Sequence, residues 1–187
     1  MVPESRLEPT EQGLVPKEDG WFVLNAREAR WLHAPGRSAI CIFEGFLEDE
    51  QDFLQVGINL NVLEPGVSMG MYHWEADQED FLVLAGEAVL IVEGEERPLR
   101  QWDFFHCPAE TKHIIVGARD GPCVVLAVGA RTHDGTSDWG GYTVDEVARR
   151  HGVSVEQDTT DAKQAYAGLP RRDPTRYREG WLPSLAA

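Results

Sequence analysis

Short apolar or alternating runs, separated by turn residues, fill the middle of the chain. They predict nine strands, because a half-buried strand alternates with a period of two and a fully buried strand is continuously apolar. The predicted strands are Trp21–Leu24, Ala39–Phe43, Gln55–Leu63, Ser68–His73, Phe81–Leu84, Ala88–Val92, Asp103–Cys107, His113–Val116 and Cys123–Val128. No long segment with helical period separates them, so the pattern predicts an all-β protein built as an antiparallel sandwich or barrel.

The same pattern divides the chain into three parts. Residues 1–20 are polar and contain three prolines, which predicts an extended N-terminal arm. Residues 21–133 hold the predicted strands and form the β-domain. Residues 134–187 are predicted to be a C-terminal extension of loop and short helices, the first helix starting at the capping-box sequence of residues 143–146 and the second at residues 161–167.

Composition and charge indicate which classes of molecule the protein can bind. The chain has 187 residues and a net charge of −15, from 17 basic and 32 acidic side chains. Nucleic acids and anionic membranes are polyanions, so we expect neither as a partner, and a small-molecule ligand is compatible with this charge. The N-terminal residues contain no apolar run typical of a signal peptide, which predicts a cytoplasmic protein. The three cysteines are widely spaced in apolar surroundings, which favours buried, reduced thiols over disulfides.

Two groups of chemically active residues lie in the predicted strands. The first runs from Pro65 to Gly86 and contains His73, Glu75 and Glu79. The second runs from Trp102 to His113 and reads Trp-Asp-Phe-Phe-His-Cys-Pro-Ala-Glu-Thr-Lys-His.

These two groups resemble the two motifs of the cupin superfamily, in particular those of bacterial single-domain cupins that share the His-Cys-Pro run. The match includes His73, Glu79 with a glycine seven residues later, and a proline five residues before His113. The resemblance implies a cupin-type antiparallel β-barrel, also described as a double-stranded β-helix or jelly roll. The sequence departs from the motifs where Glu75 replaces a histidine, Trp102 and Glu110 replace glycines, and Gly117 replaces an asparagine.

The spacing predicts a divalent-metal site made of His73, Glu79 and His113. Side chains alternate across a strand, so His73 and Glu75 share one face, and a paired strand can bring His113 alongside. Two histidines and a carboxylate with open positions suit non-haem Fe(II), and the same ligands suit zinc with a bound water. The expected cofactor is therefore a divalent ion, either Fe, Mn or Zn.

Glu75 has three interpretations. As a fourth ligand, it would make the site more anionic and would favour Fe(II), Mn(II) or Zn(II) over copper. As a carboxylate beside a metal-bound water, it would be a catalytic general base. It could also be a surface glutamate on a barrel that has lost its metal.

Three further residues are candidates for substrate binding. Met71 shares the His73 face of its predicted strand, and Phe81 shares the face of Glu79. His106 has the parity of Phe104, so it either points into the barrel or faces solvent. The remaining histidines, among them His133, are interpreted as structural.

These observations favour a metal-binding cupin that acts as a metal-dependent enzyme on a small polar molecule, by oxygenase, isomerase or lyase chemistry. The alternatives are a non-catalytic cupin that senses or stores a small molecule or metal, and a purely structural barrel. A homodimer is expected, since single-domain cupins are commonly dimers and the barrel leaves exposed strand edges.

Overall fold

The computed structural model describes residues 1–45, 53–118, 120–133 and 135–184. Within these ranges the chain forms mainly strands with two short helices. The strands are β1 (Leu7–Thr10), β2 (Gly13–Pro16), β3 (Arg30–His33), β4 (Ala39–Ile42), β5 (Val56–Leu63), β6 (His73–Glu75), β7 (Glu79–Ala85), β8 (Glu87–Val92), β9 (Glu95–Arg100), β10 (Phe104–Cys107), β11 (His113–Gly117), β12 (Cys123–Ala130), β13 (Gly140–Tyr142) and β14 (Asp173–Thr175). The helices are α1 (Glu146–Arg150) and α2 (Ala162–Ala165).

Two antiparallel sheets form the body of the protein. The larger has the strand order β10-β7-β12-β5-β4-β3-β14, and the smaller has the order β13-β6-β11-β8-β9. This arrangement confirms the predicted all-β, jelly-roll class. The described strands form two facing sheets rather than a ring closed by hydrogen bonds, so the barrel is held shut by side-chain packing.

The main core lies between these two sheets. Phe81, Val83 and Val125 come from the large sheet, whereas Leu90 and Ile115 come from the small one, and all five are buried in a single cluster. Alternate residues of β5, β7 and β12 therefore face inward, as the period of two requires. This inward face carries the candidate site.

The C-terminal extension covers the outer faces of both sheets. Ala148 of α1 and Val153 pack against Ile91 and Ile114 on the outside of the small sheet. Tyr177, Trp181 and Leu182 pack on the cluster around Trp31, on the outside of the large sheet. The extension is thus part of the packed structure, because it buries apolar surface that both sheets would otherwise expose. Neither helix of the described residues is long and apolar enough to cross a membrane.

Two predicted strands are displaced. Trp21–Leu24 is not a strand: the backbone N–H and C=O of Trp21 pair with Pro3 and Ser5 of the N-terminal arm. The strand of this region is β3, nine residues further on. The predicted strand Ser68–His73 shortens to β6, which starts at His73, because the backbone of Tyr72 pairs with Val153 of the C-terminal extension.

The N-terminal arm is a packed hairpin rather than an extended segment. β1 and β2 pair in antiparallel register, and the hydroxyl of Thr10 donates to the carbonyl oxygen of Gly13 across the turn (2.7 Å). Leu14 then hydrogen-bonds to Glu28, and Val15 is buried. The prolines of this segment lie at positions where the hairpin ladder needs no donor from them.

The helices of the extension lie where the pattern places them, with one correction. α1 is capped by Asp145, whose carboxylate accepts from the backbone N–H of Ala148 (2.8 Å), and not by Thr143. The helix begins only at Glu146, so Thr143 lies too far before its first turn, and the Thr143 hydroxyl is buried without a partner among the described residues. α2 starts after Asp161, whose carboxylate accepts from the N–H of Lys163.

Two residues that replace glycines of the resembled motif have backbone conformations typical of glycine. Trp102 and Glu110 stand where glycines are expected, and both have left-handed backbone conformations, with φ of 75° and 68°. Such conformations cost about 1 kcal/mol or more in a residue with a Cβ. The turns of this domain therefore follow the glycine-type geometry even where the glycine is absent.

Candidate metal centre

His73 and His113 face each other across adjacent strands of the small sheet. His113 begins β11 and is directly opposite His73, the first residue of β6. Their ring centroids lie 4.9 Å apart. Glu79, the first residue of β7, approaches from the large sheet, so three residues distant in sequence meet between the sheets at one end of the barrel.

Hydrogen bonds fix the orientation of both imidazole rings. Nδ1 of His73 donates to the carbonyl oxygen of Met71 (2.8 Å), and Nδ1 of His113 donates to that of Thr111 (3.0 Å). A nitrogen facing a carbonyl must carry a proton, so a neutral ring keeps its lone pair on Nε2. The Nε2 atoms of both rings face Glu79. Such Nδ1 contacts are the usual outer support of metal-binding histidines.

The carboxylate of Glu79 completes a group of three converging electron-pair donors. Its Oε2 lies 3.3 Å from Nε2 of His113 and 3.9 Å from Nε2 of His73. This oxygen is buried and has no hydrogen-bond donor among the described residues when both rings are neutral. A buried carboxylate oxygen without a partner is costly, because desolvation of its charge is uncompensated.

The protein without metal can relieve this contact by protonating His113. Burial opposes the charged form of that ring, but the hydrogen bond to Glu79 and its negative charge outweigh burial and raise the pKa of His113. Burial likewise opposes the charged form of Glu79, and the hydrogen bond and charge of His113 outweigh it and lower the pKa of the carboxyl. A divalent cation satisfies the same three atoms without a proton.

The separations fit a small divalent cation. His73, Glu79 and His113 form a group whose candidate ligand atoms all lie within 4.8 Å of one another. Two ligands each about 2.1 Å from a tetrahedral ion lie about 3.4 Å apart, close to the 3.3 Å and 3.9 Å found here. Two imidazoles and one carboxylate suit Zn, Fe or Mn.

Glu75 lies beside this group rather than within it. Its Oε1 is 3.5 Å from Nε2 of His73, and its side chain is about one third exposed. Among the described residues, the compact ligand group does not include Glu75. In this position Glu75 can contact a water or substrate molecule bound to the metal, from the solvent side of the site.

Two cavities meet at Glu79. The first, here called the inner cavity, has a volume of about 210 Å³ and lies between the sheets. Its lining includes the three candidate ligands and Asn59, Asn61, Phe81, Ile115 and Tyr166. The second, here called the outer cavity, has a volume of about 220 Å³ and is more polar. Its lining includes Glu75, Asp77, Glu79, Arg131, His133 and Trp139.

The residues predicted to bind substrate fall in different places. Phe81 is buried in the wall of the inner cavity, with its ring 5.3 Å from that of His113. Met71 does not line that cavity: it packs with Tyr142 and Val155 on the far side of the β6 backbone. Its contribution to the site is the carbonyl oxygen that holds His73.

His106 faces solvent and not the barrel. It lies opposite Asp80 on the outer face of the large sheet, and its Nδ1 hydrogen-bonds to the Asp80 carboxylate (2.7 Å). The adjacent Phe105 takes the inward position and stacks on Phe81. The strand parity that placed His106 with Phe104 was correct, but both side chains point outward.

Sequence reasoning missed two polar pairs near the metal centre. Asn59 and Asn61 alternate along β5 toward the inner cavity, and their side chains hydrogen-bond to each other (2.5 Å). In the outer cavity, the carboxylate of Asp77 accepts from Nδ1 of His133 (2.9 Å) and from its backbone N–H (2.7 Å). The hydrogen bond to Asp77, more than its charge, raises the pKa of His133. The inward parity of Asn61 was a signal that could have been used.

Cys107 is a neighbour of the site and not one of its ligands. Its sulfur lies 3.4 Å from Nδ1 of His113, the nitrogen directed away from Glu79. Burial, reinforced by the charge of Glu79, raises the pKa of the Cys107 thiol to about 12. The thiol therefore stays protonated at neutral pH and is a poor metal ligand.

Comparison with known proteins identifies one matching family. Residues 59–129 match the family model of the cupin domain, a range that contains all three candidate ligands. No curated protein matches the chain significantly.

Among solved structures, the chain is similar to a sugar phosphate isomerase of the cupin superfamily from Silicibacter pomeroyi. The two are 31% identical over 51% of this chain and 60% of that one, with a TM-score of 0.43. The chain is also similar to a Cupin 2 conserved barrel domain protein from Salinispora arenicola, with 24% identity over 52% of this chain and 70% of that one and a TM-score of 0.37. A third is the polyketide cyclase RemF from Streptomyces resistomycificus, with 16% identity, coverage of 59% and 79%, and a TM-score of 0.49. The match thus spans less than two thirds of the Silicibacter protein.

Proposed function

Because the chain carries a cupin domain at residues 59–129, we propose that it is a metal-dependent enzyme acting on a small polar molecule, with the metal bound by His73, Glu79 and His113. The observation that carries this proposal is the convergence of two Nε2 lone pairs on a buried carboxylate oxygen that has no donor among the described residues. With both rings neutral, such an arrangement costs free energy, which is relieved either by a proton on His113 or by a bound cation.

The bound ion would supply Lewis acidity, polarising an oxygen atom of the substrate or of water. The side chains around the cavity would bind and orient the substrate. Asn59 and Asn61 present amide groups to the inner cavity, where they can orient hydroxyl or carbonyl groups. Phe81 and Ile115 give the same cavity an apolar wall.

Proton transfer is the chemistry that the outer cavity supports best. Glu75 can accept a proton from a group bound beside His73, since its carboxylate lies 3.5 Å from that ring and reaches solvent. Asp77 holds His133 by Nδ1, which leaves Nε2 of that ring free for a second transfer. Two proton-transfer groups beside one metal centre favour isomerase or lyase chemistry over oxygenase chemistry.

Glu75→Gln is expected to separate the roles of the two nearby glutamates. Because Glu75 lies outside the compact ligand group, this variant should keep its affinity for Zn(II) or Co(II) within about 3-fold of the wild type. Glu79→Gln, the matched control, should lose more than about 100-fold, because it removes a ligand. Titration followed by Co(II) absorption measures both. Equal losses in the two variants would show that Glu75 is a ligand and not a base.

An open coordination position distinguishes an enzyme from a storage protein. Three protein ligands leave room for water, which the substrate can replace. Proton relaxation of water in a solution of the Mn(II)-loaded protein should therefore show at least one rapidly exchanging water. Relaxation no greater than that of a closed Mn(II) chelate would argue against catalysis and for metal storage.

We also propose that the protein is a homodimer. β10 is an edge strand of the large sheet, and Phe104 on it and Trp102 just before it are about two thirds exposed. Large exposed aromatic residues beside an unpaired edge are typical of an interface.

Sedimentation velocity at micromolar concentration should show that the protein is a dimer. Trp102→Glu should shift the protein toward the monomer, whereas Val23→Glu, at another exposed site, should leave the dimer intact. A monomeric wild type would contradict this proposal.

A further inference from the structure

Arg172 links the C-terminal extension to the barrel through three hydrogen bonds. Its Nε donates to the carbonyl oxygen of Ser38 (2.9 Å), and its Nη2 donates to the hydroxyl of Ser38 (2.6 Å) and to the carbonyl oxygen of Met69 (3.2 Å). All of these acceptors are neutral. The Nη1 group has no hydrogen-bond partner within the part of the chain that the structure describes.

A second arginine lies next to it. Arg37 places its guanidinium 4.9 Å from the centre of the Tyr166 ring, and among the described residues that guanidinium donates one hydrogen bond, to the carbonyl oxygen of Pro170 (3.2 Å). Burial, followed by the positive charge of Arg37, lowers the pKa of Arg172 to about 10, which still leaves it charged at neutral pH. Two like charges are thus held together, one of them largely buried.

Neither arginine forms an ion pair with a carboxylate among the described residues. Arg171 and Arg178 also have no such partner among the described residues, so what distinguishes the pair is the burial of Arg172 beside a second arginine. Other arginines of the protein do have such partners: Arg27 with Glu179, Arg97 with Glu95, Arg131 with Glu44, Arg149 with Glu146 and Arg150 with Glu96. A partly buried cation pair without a counter-ion is costly, and an anion that binds there removes the cost.

The pair borders the inner cavity. Tyr166, whose ring forms a cation–π contact with Arg37, lines that cavity together with His73, Glu79 and His113. Met69, whose carbonyl accepts from Arg172, lines it as well. Two residues that contact the arginines, Tyr166 and Met69, thus also line the cavity that holds the candidate metal ligands.

We propose that Arg37 and Arg172 form an anion-binding subsite for a phosphate or carboxylate group on the molecule that reaches His73, Glu79 and His113. The identity of this molecule as a substrate rests on the proposed function, whereas the binding of an anion does not. Guanidinium groups suit both anions, because their N–H groups match two oxygens of a planar or tetrahedral oxyanion. Arg172 lies in the C-terminal extension and Arg37 in the β3–β4 turn, so the subsite is formed by residues outside the matched cupin domain.

The subsite can be tested with inorganic phosphate as the probe. Calorimetric titration of the full-length protein at low ionic strength, both metal-loaded and after chelation, should show saturable phosphate binding in both forms. Arg37→Gln should weaken that binding at least about 10-fold, equivalent to about 1.4 kcal/mol. Arg97→Gln, which removes the same charge from the exposed strand β9, should weaken it less than about 2-fold.

A second variant guards against effects on folding. Arg172→Lys keeps the positive charge but loses the planar fork, so it should retain the fold by circular dichroism and lose most of the phosphate affinity. Titration with glycolate then tells which anion the subsite prefers, since tighter glycolate binding indicates a carboxylate ligand and tighter phosphate binding a phosphoryl ligand. No saturable binding of either anion, or equal binding by Arg37→Gln and Arg97→Gln, would overturn the proposal and leave the arginines as a link for the extension only.

The test of anion binding can fail or succeed independently of the test of metal binding. Loss of metal from His113→Ala with phosphate binding intact would support both sites. Phosphate binding in a protein that binds no metal would keep the anion subsite and reject the metal-dependent enzyme.

Discussion

His113→Ala is expected to lower the affinity of the protein for Zn(II) or Co(II) by more than about 100-fold. Loss of an outer-shell partner alone costs about 10- to 100-fold, and this variant removes a direct ligand. His113 is also the ligand nearest to Glu79, at 3.3 Å, so its removal leaves the buried carboxylate with His73 alone, 3.9 Å away. Titration with Co(II), followed by its visible absorption, measures the affinity and shows whether the coordination remains tetrahedral.

The control for this variant is His106→Ala. His106 lies on the same stretch of chain but faces solvent and pairs with Asp80, so its loss should leave the metal affinity within about 2-fold of the wild type. An equal effect of the two substitutions would mean that the metal binds elsewhere. Unfolding followed by circular dichroism separates loss of a ligand from loss of structure.

Gly86→Ala is expected to destabilise the fold by about 4 kcal/mol, which is the size reached when a large steric clash occurs in a packed region. Gly86 alone connects β7 to β8, with φ of 73°. A Cβ at this position would lie 2.9 Å from the Cα of Cys123 and closer still to the carbonyl oxygen of Pro122. For a domain of this size, such a loss lowers the melting temperature by roughly 8 to 16 °C, which thermal unfolding will show.

Gly36→Ala is the matched control. Gly36 has nearly the same φ, 72°, but a Cβ there would meet no atom within 4 Å. Only the backbone strain of about 1 kcal/mol should remain, so the melting temperature should fall by roughly 2 to 4 °C. If both variants lose the same stability, the close approach of the β7–β8 turn to Pro122 is not a determinant of the fold.

The grouping of His73, Glu79 and His113 could be predicted from the sequence because these residues lie in regular strands. His73, Glu79 and His113 each start a strand, and strand parity together with antiparallel pairing determines where such residues point. The sequence left Glu75 open as a ligand, a general base or a surface residue, and its position beside the ligand group supports the proposal that it is a base. His106 shows what strand alternation cannot predict. The alternation indicates which residues share a face of the strand, but it does not indicate which of the two faces is buried.

The position of the first strand of the large sheet and the roles of Asn61 and Arg172 depend on tertiary contacts, which the local sequence pattern does not predict. Trp21–Leu24 has a strand-like composition, yet the backbone of Trp21 pairs with Pro3 and Ser5 of the N-terminal arm, and β3 forms further on. The roles of Asn61 and Arg172 depend on which face of β5 is buried and on where the C-terminal extension returns to the barrel. Such positions follow from tertiary packing, which decides between segments of similar intrinsic propensity.

The most direct test of the account is an anomalous difference map from crystals of the zinc-loaded protein, measured at the zinc edge. We predict a single strong peak between the sheets, about 2.0–2.2 Å from Nε2 of His73, Nε2 of His113 and an oxygen of Glu79. The absence of a peak between these three residues, or a zinc ion bound only at another site, would contradict the proposed metal centre.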